Sequence, residues 1–349
     1  MSVFKEHIAC MNAYQPPLEG RNPAQHMLLD FNERTMPVSE SIKRALTEFI
    51  LSDRLQMYPC YGDITQHLAE YCTVDRDQVM ITNGSDQGID LVFRASCREG
   101  DEAIIPGPSF AMYQQCAGVE NLKVIEPQYT RNGGFPMREV VAAISPKTRV
   151  IVIANPNNPC GTPVAEADIL TIAAAAPDAV VLVDECYFEY TRTSVVKHLV
   201  AYPNIVVTRT FSKTWGLPSI RFGYILTAAE NIRVLLNIRG PYDINQLAVV
   251  AAEAALANPQ YTKDYVIEVM ERAKPLLEQY LNHAGIAFWP SAANYLWLFP
   301  DHASSLQQHL RERGILVRPK SDAEGNMGLR ITVGTVEQTR ELINALKAF

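Results

Sequence analysis

The 349-residue sequence has no Cys-x-x-Cys pair, no long Lys/Arg run, no internal repeat, no low-complexity tract and no apolar stretch of bilayer-spanning length. Each absence removes a class of function. Seven cysteines (Cys10, Cys60, Cys72, Cys97, Cys116, Cys160 and Cys186) are odd in number and widely separated, so they read as free thiols and predict a reducing compartment. A net charge of −7 disfavours attraction to phosphate backbones and anionic lipids, so neither nucleic acid nor membrane is expected as a partner. The first seven residues carry an acidic side chain and no apolar core of signal-peptide length, which predicts a cytoplasmic location. Neither the dinucleotide-binding Gly-x-Gly-x-x-Gly nor the P-loop spacing Gly-x-x-x-x-Gly-Lys is found where a strand meets a helix.

What is present is an ordinary globular composition, 48% hydrophobic and 20% charged, at a length that calls for one large core and a smaller companion. Short β-branched runs at 79–82, 103–105, 150–153, 180–183 and 205–208 alternate with helical stretches. Their near-continuous apolar character predicts a mostly parallel α/β sheet sandwiched by helices. After about residue 241 long helical patterns (243–257 and 260–284) give way to short strands at 294–299 and 329–333, which predicts a smaller α+β domain. The expected division is an N-terminal arm over 1–35, a large domain over 36–240 and a small C-terminal domain over 241–349. In such sheets functional residues gather at the carboxyl ends of the strands.

Those ends are unusually polar. The first strand runs into Asn83-Gly84-Ser85-Asp86-Gln87-Gly88, where Gly84 permits a tight turn and the N–H groups of the next helix face any anion; alone, a plain capped helix accounts for this better. Asn155-Pro156-Asn157-Asn158-Pro159 holds an amide rigidly at the edge, able to donate to a phenolate oxygen, or is a simple Asn-Pro turn. Asp184-Glu185-Cys186-Tyr187 delivers a carboxylate straight from an apolar strand. That carboxylate either caps the next helix or pairs with a buried cation such as a pyridinium N–H, which Tyr187 could accompany on a ring hydroxyl. The fifth strand ends in Thr210-Phe211-Ser212-Lys213, with Arg221 following in the same loop. Two hydroxyls and a guanidinium there suit a phosphate, and a lysine desolvated beside cations becomes nucleophilic.

Together these residues resemble fold-type I aminotransferases that use pyridoxal 5'-phosphate (PLP), and within them the histidinol-phosphate aminotransferase family. The resemblance rests on Asn158-Pro159-x-Gly161, Asp184-x-x-Tyr187 and Ser212-Lys213 with Arg221 eight residues on, and it extends from Asp30-Phe31-Asn32-Glu33 through Met57-Tyr58-Pro59 and 107–113 to Leu329-Arg330-Ile331-Thr332-Val333-Gly334. It implies that Lys213 carries the cofactor as a Schiff base in a ping-pong cycle. It further implies that Ser85, Asp86, Thr210, Ser212 and Arg221 bind the cofactor phosphate, that Phe110 stacks on the ring, that Asn158 and Tyr187 hold its hydroxyl oxygen, and that Asp184 pairs with its nitrogen. Arg330 would hold the charged head of the substrate, with Asn32 in the contacting arm and Arg318 and Tyr14 on a distal phosphate. Tyr58 would reach the neighbouring site of a homodimer.

The implied reaction moves an amino group from histidinol phosphate to 2-oxoglutarate, a step of histidine biosynthesis. An aromatic amino acid aminotransferase and a phosphothreonine decarboxylase-like lyase share the motifs, and a PLP-fold binding module without catalysis is the reading from another class. The chain departs from the family pattern at Phe110, Glu33-Arg34-Thr35, Cys160 and Leu217-Pro218-Ser219-Ile220, positions that bear on specificity rather than on the lysine.

Overall fold

The computed structural model describes residues 3–349. In chain order its strands are β1 (Met27–Leu28), β2 (Val79–Thr82), β3 (Glu102–Ile104), β4 (Lys123–Ile125), β5 (Thr148–Ala154), β6 (Val180–Asp184), β7 (Ile205–Thr210), β8 (Gly223–Leu226), β9 (Ala287–Trp289), β10 (Tyr295–Phe299), β11 (Ile315–Leu316), β12 (Arg318–Ser321) and β13 (Met327–Thr332). A seven-stranded sheet runs β2-β8-β7-β6-β5-β3-β4, and every neighbouring pair in it is parallel except the two made by β8.

The apolar runs become strands because both sheet faces are covered. Ile151, Ile153, Val181, Val183, Ile205 and Val207 pack into one core, while their chain neighbours Val150, Val152, Leu182 and Val206 pack into another on the opposite face. Burying each such side chain stabilises the fold by about 1.5–3 kcal/mol. The same alternation decides where the polar residues at the strand ends point. Asp184 and Thr208 share the face of Leu182 and Val206, towards the helices Gly84–Ser96 and Ala111–Val119. One residue further, Glu185 and Arg209 fall on the other face and form a buried ion pair at 2.8 Å.

The smaller body has a four-stranded antiparallel sheet, β12-β13-β10-β9, covered by a continuous helical rod from Gln260 to His283 with a π segment at Ile267–Ala273, and by the helices Ala303–Glu312 and Val336–Lys347. Two features bear on the expected division. Helix Gln246–Leu256, placed by sequence in the C-terminal unit, buries Ala248, Val249, Ala251, Ala252 and Ala255 in the large core; its composition is apolar on most sides and carries no mark of which core receives it. The arm also joins the smaller body directly, through β1 paired with β11 and through Leu29 in its core. Among the described residues no helix is long and apolar enough to cross a membrane.

Candidate active site

The register brings the predicted residues to one edge. Gly223, first residue of the reversed strand β8, stands opposite both Thr82 and Thr210, so the ends of β2 and β7 and the loop before β8 converge. At this point helix Gly84–Ser96 begins. Gly84 has φ +70°, and a Cβ built there would lie 2.5 Å from the Arg221 guanidinium. The glycine therefore allows both the turn and the close approach of the cation. Arg221, itself at φ +59°, donates to Asp86 at 2.8 Å, and the Thr210 hydroxyl donates to Ser212 at 3.0 Å. The Asp86 carboxylate is thus occupied in aiming Arg221. What Ser85 and Asp86 turn towards an anion is the N–H row of the helix's first turn.

Asp184 is 2% exposed. Its two oxygens accept from the Tyr113 hydroxyl at 2.6 Å and the Thr208 hydroxyl at 3.0 Å. Burial raises its carboxyl from 3.8 to about 6, against the lowering effect of those two donors. Among the described residues no cationic side chain forms an ion pair with it. A charged carboxylate at this depth calls for a cationic N–H. Phe110 begins the helix Ala111–Val119 and meets Tyr113 edge-on at 5.7 Å and Tyr14 at 6.4 Å, making an aromatic wall beside the carboxylate.

Lys213 follows β7 in a loop closed by backbone bonds from Phe211 to Phe222, Leu217 to Phe211 and Gly216 to Lys213. Its Nζ donates to the Phe31 carbonyl at 3.0 Å and lies 6.0 Å from the Tyr187 ring. Burial lowers its pKa, and Arg330 pushes the same way, while Cys186, Glu33 and Asp86 oppose them. A lysine desolvated in this way is more readily the neutral, nucleophilic amine.

The smaller body closes the site. Arg330 donates to the Asn158 side chain and to the Asp30 carbonyl, and lies 5.6 Å from the Tyr295 ring centroid, while its Nε has no partner. Asn158 accepts through Oδ1, which leaves its amide hydrogens for another oxygen. The Tyr187 oxygen accepts from Asn32 Nδ2 at 2.8 Å and keeps its own proton to donate. Asn32 is held in turn by a hydrogen bond from its N–H to Thr332. Arg318 lies 5.2 Å from the Phe31 ring centroid with Nη1 unbonded, and Arg21 lies 4.5 Å from the same ring.

Lys213, Asp184, Tyr187, Phe110, Asn158, Asn32 and Arg330 are thus linked through shared neighbours, with the Ser85, Asp86, Thr210, Ser212 and Arg221 group at the adjacent strand ends. Tyr58 stands apart: it is 77% exposed and stacks on Tyr242 at 4.4 Å. Sequence reasoning missed the two residues that hold Asp184. Tyr113 carries the signal of an aromatic one helical turn after Phe110, and Thr208 that of a hydroxyl two residues before Thr210 on the same strand face. Arg34, flagged as a departure, donates to the Thr214 and Tyr261 carbonyls and packs on the rings of Tyr261 and Tyr265, so in this chain it braces the arm.

A family model described as aminotransferase class I and II matches residues 24–346. The histidinol-phosphate aminotransferase of Caldanaerobacter subterraneus subsp. tengcongensis is 33% identical over 99% of this chain and 98% of its own. In three dimensions the histidinol-phosphate aminotransferase of Sinorhizobium meliloti, solved in complex with PLP, superposes with TM-score 0.90 at 22% identity, covering 99% of this chain and 97% of that one. L-threonine-O-3-phosphate decarboxylase from Porphyromonas gingivalis shares the same fold at TM-score 0.80 and 23% identity, over 93% and 99% of the two chains.

Proposed function

We propose, for a chain that belongs to the class I and II aminotransferase family, that it transfers the amino group of histidinol phosphate to 2-oxoglutarate, with Lys213 as the reacting amine. The enzyme is a PLP-dependent aminotransferase of fold type I. The residues present fit that cofactor: Asp184 is a buried carboxylate without a cation, and the missing Cβ of Gly84 leaves a cradle in which Arg221 and a helix N-terminus meet. Ser85, the Asp86 N–H, Thr210, Ser212 and Arg221 would hold its phosphate, Asn158 and Tyr187 its hydroxyl oxygen, and Phe110 would stack on its ring. Bound PLP supplies an electron sink for the substrate carbanion.

The protein's own groups do the rest. Asp184 keeps a ring nitrogen protonated, and Tyr113 and Thr208 fix the carboxylate's orientation and favour its charged form. Lys213, whose neutral form burial favours, takes a proton from the substrate carbon that bears the amino group and hands it on, serving as base and then acid. Arg330 orients an anionic group of each substrate, Asn158 would tie that arginine to the cofactor hydroxyl, and Arg318 and Tyr14 face the donor's phosphate. The proposed assembly is a homodimer in which Tyr58, exposed here, reaches the neighbouring site.

The observation that carries the reading is the junction of an unpaired buried carboxylate and a desolvated lysine with unpaired arginines across the cleft. Half-reactions test it. Histidinol phosphate added alone should convert bound PLP to its amine form, seen as loss of the cofactor's visible absorbance, and 2-oxoglutarate should restore it. Conversion by phenylalanine but not histidinol phosphate would reassign the donor. Carbon dioxide release from phosphothreonine without amine transfer would reassign the reaction.

A further inference from the structure

On β12 the alternate residues Arg318 and Lys320 share one face, and the register with β13 sets Arg318 opposite Arg330 and Lys320 opposite Gly328. Gly328 adds no side chain, and it has no room for one, because a Cβ there would lie 2.6 Å from Trp297 Nε1. Three cations therefore line one strand pair. Arg330 is 5% exposed with Nε unbonded, Arg318 has a buried unbonded Nη1, and Lys320 is half-buried. Two acids of the arm, Asp30 and Glu33, both pair with Arg21, and Asp30 reaches Arg318 and Arg330 only as a weaker, longer-range charge. Among the described residues none of the three cations forms an ion pair. Uncompensated positive charge at this depth is unfavourable unless a ligand brings negative charge.

Arg330 and Arg318 suffice for the two carboxylates of a dicarboxylic co-substrate. A third cation on the same face exceeds that need and suits a group carrying two charges on one centre. We propose that Lys320 completes a phosphomonoester subsite with Arg318 and Arg330, and is the residue that sets a phosphorylated amino donor apart from a carboxylate one. The proposal rests on the amino-transfer reading and names a determinant within that site.

Half-reactions of the holoenzyme with histidinol phosphate and with glutamate, together with competition by inorganic phosphate, test it in wild type, Lys320→Gln and Lys320→Arg. Removing a charge-assisted bond to a dianion should weaken histidinol phosphate and inorganic phosphate by about ten-fold or more in Lys320→Gln. Glutamate should change by no more than about two-fold, the level of a distant screened charge, and Lys320→Arg should restore phosphate binding. Burial first, then Arg330 and Arg318, push the Lys320 ammonium down to about 8. Phosphate competition should therefore weaken as pH rises through about 8 in wild type, and persist in Lys320→Arg. Equal losses for glutamate and phosphate, or no loss for either, overturn the proposal. Should wild type fail to react with histidinol phosphate, the donor reading falls, while the phosphate inhibition constant still decides Lys320: a shift in Lys320→Gln retains the subsite and an unchanged constant removes it.

Discussion

The two walls of the cleft are built differently. At the edge of the large sheet the polar groups already hold one another in place: Asp184 accepts from Tyr113 and Thr208, Arg221 donates to Asp86, and Thr210 donates to Ser212. Across from it, Arg330 and Arg318 keep unbonded N–H groups, and among the described residues Lys320 forms no ion pair. A wall whose members brace each other presents a fixed shape, suited to one permanent occupant. A wall with spare donors gains stability from each ligand that arrives, suited to substrates that alternate. The proposed division of labour between cofactor and substrate matches this difference in hydrogen-bond satisfaction.

Breaking the braced wall should cost most. Lys213→Ala is expected to lower turnover by about 10⁴-fold, since it removes the amine that serves as base and acid, and single-turnover kinetics will measure it. Asp184→Asn should cost about 10³-fold in kcat by ending ring-nitrogen protonation, the size of a lost preorganised electrostatic partner. The same variant has a second signature in cofactor-stripped protein. Because folding raises the Asp184 carboxyl from 3.8 to about 6, its contribution to stability is fully present below pH 4 and is lost as pH rises through 6. Stripped Asp184→Asn should then be more stable than stripped wild type at pH 7.5, by up to about 3 kcal/mol, with the gap closing towards pH 4 in denaturant titrations.

The substrate wall should respond in affinity instead. Arg330→Lys removes a planar fork that a lysine cannot replace, so KM for donor and acceptor should rise by about 10²-fold with a smaller fall in kcat. A kcat loss exceeding the KM change would place Arg330 in the braced set and blur the contrast. The smallest effect is expected for Tyr113→Phe, at about five- to ten-fold in kcat. Its hydrogen bond favours the ionised Asp184, so its loss should move that carboxyl further upward, read as a shifted acid limb in the pH profile of kcat/KM.

Much of this was legible from residue order. The five apolar runs became strands because nothing but burial on both faces suits them, and the polar residues after them could only emerge at the sheet's edge. Lys213, Asp184 and Arg221 announced themselves as charges where apolar chain had just ended. Tyr113 did not, because the hydrogen bond that matters spans 71 residues and depends on which sheet face Asp184 takes. Strand β8 is not legible because its four residues follow the loop without a break, and the core that receives helix Gln246–Leu256 is not legible because an apolar helix does not name its partner. Asp86 stands in the loop expected at the phosphate, and the engagement of its carboxylate by Arg221, a pairing across 135 residues, is something local sequence does not encode.

The reversed strand β8 has a consequence for how the chain tolerates change. By turning back beside β7 it lets a single short loop carry both Lys213 and Arg221, tied at its neck by the backbone bond from Phe211 to Phe222. That loop behaves as a caliper: its residue count sets the gap between amine and guanidinium, and its φ values, +72° at Gly216 and +59° at Arg221, set the angle of the jaws. Replacements such as Leu217-Pro218-Ser219-Ile220 leave the count intact, whereas one inserted residue would misplace both ends together. Between Gly216 and Arg221, length rather than identity is what the four intervening residues must preserve.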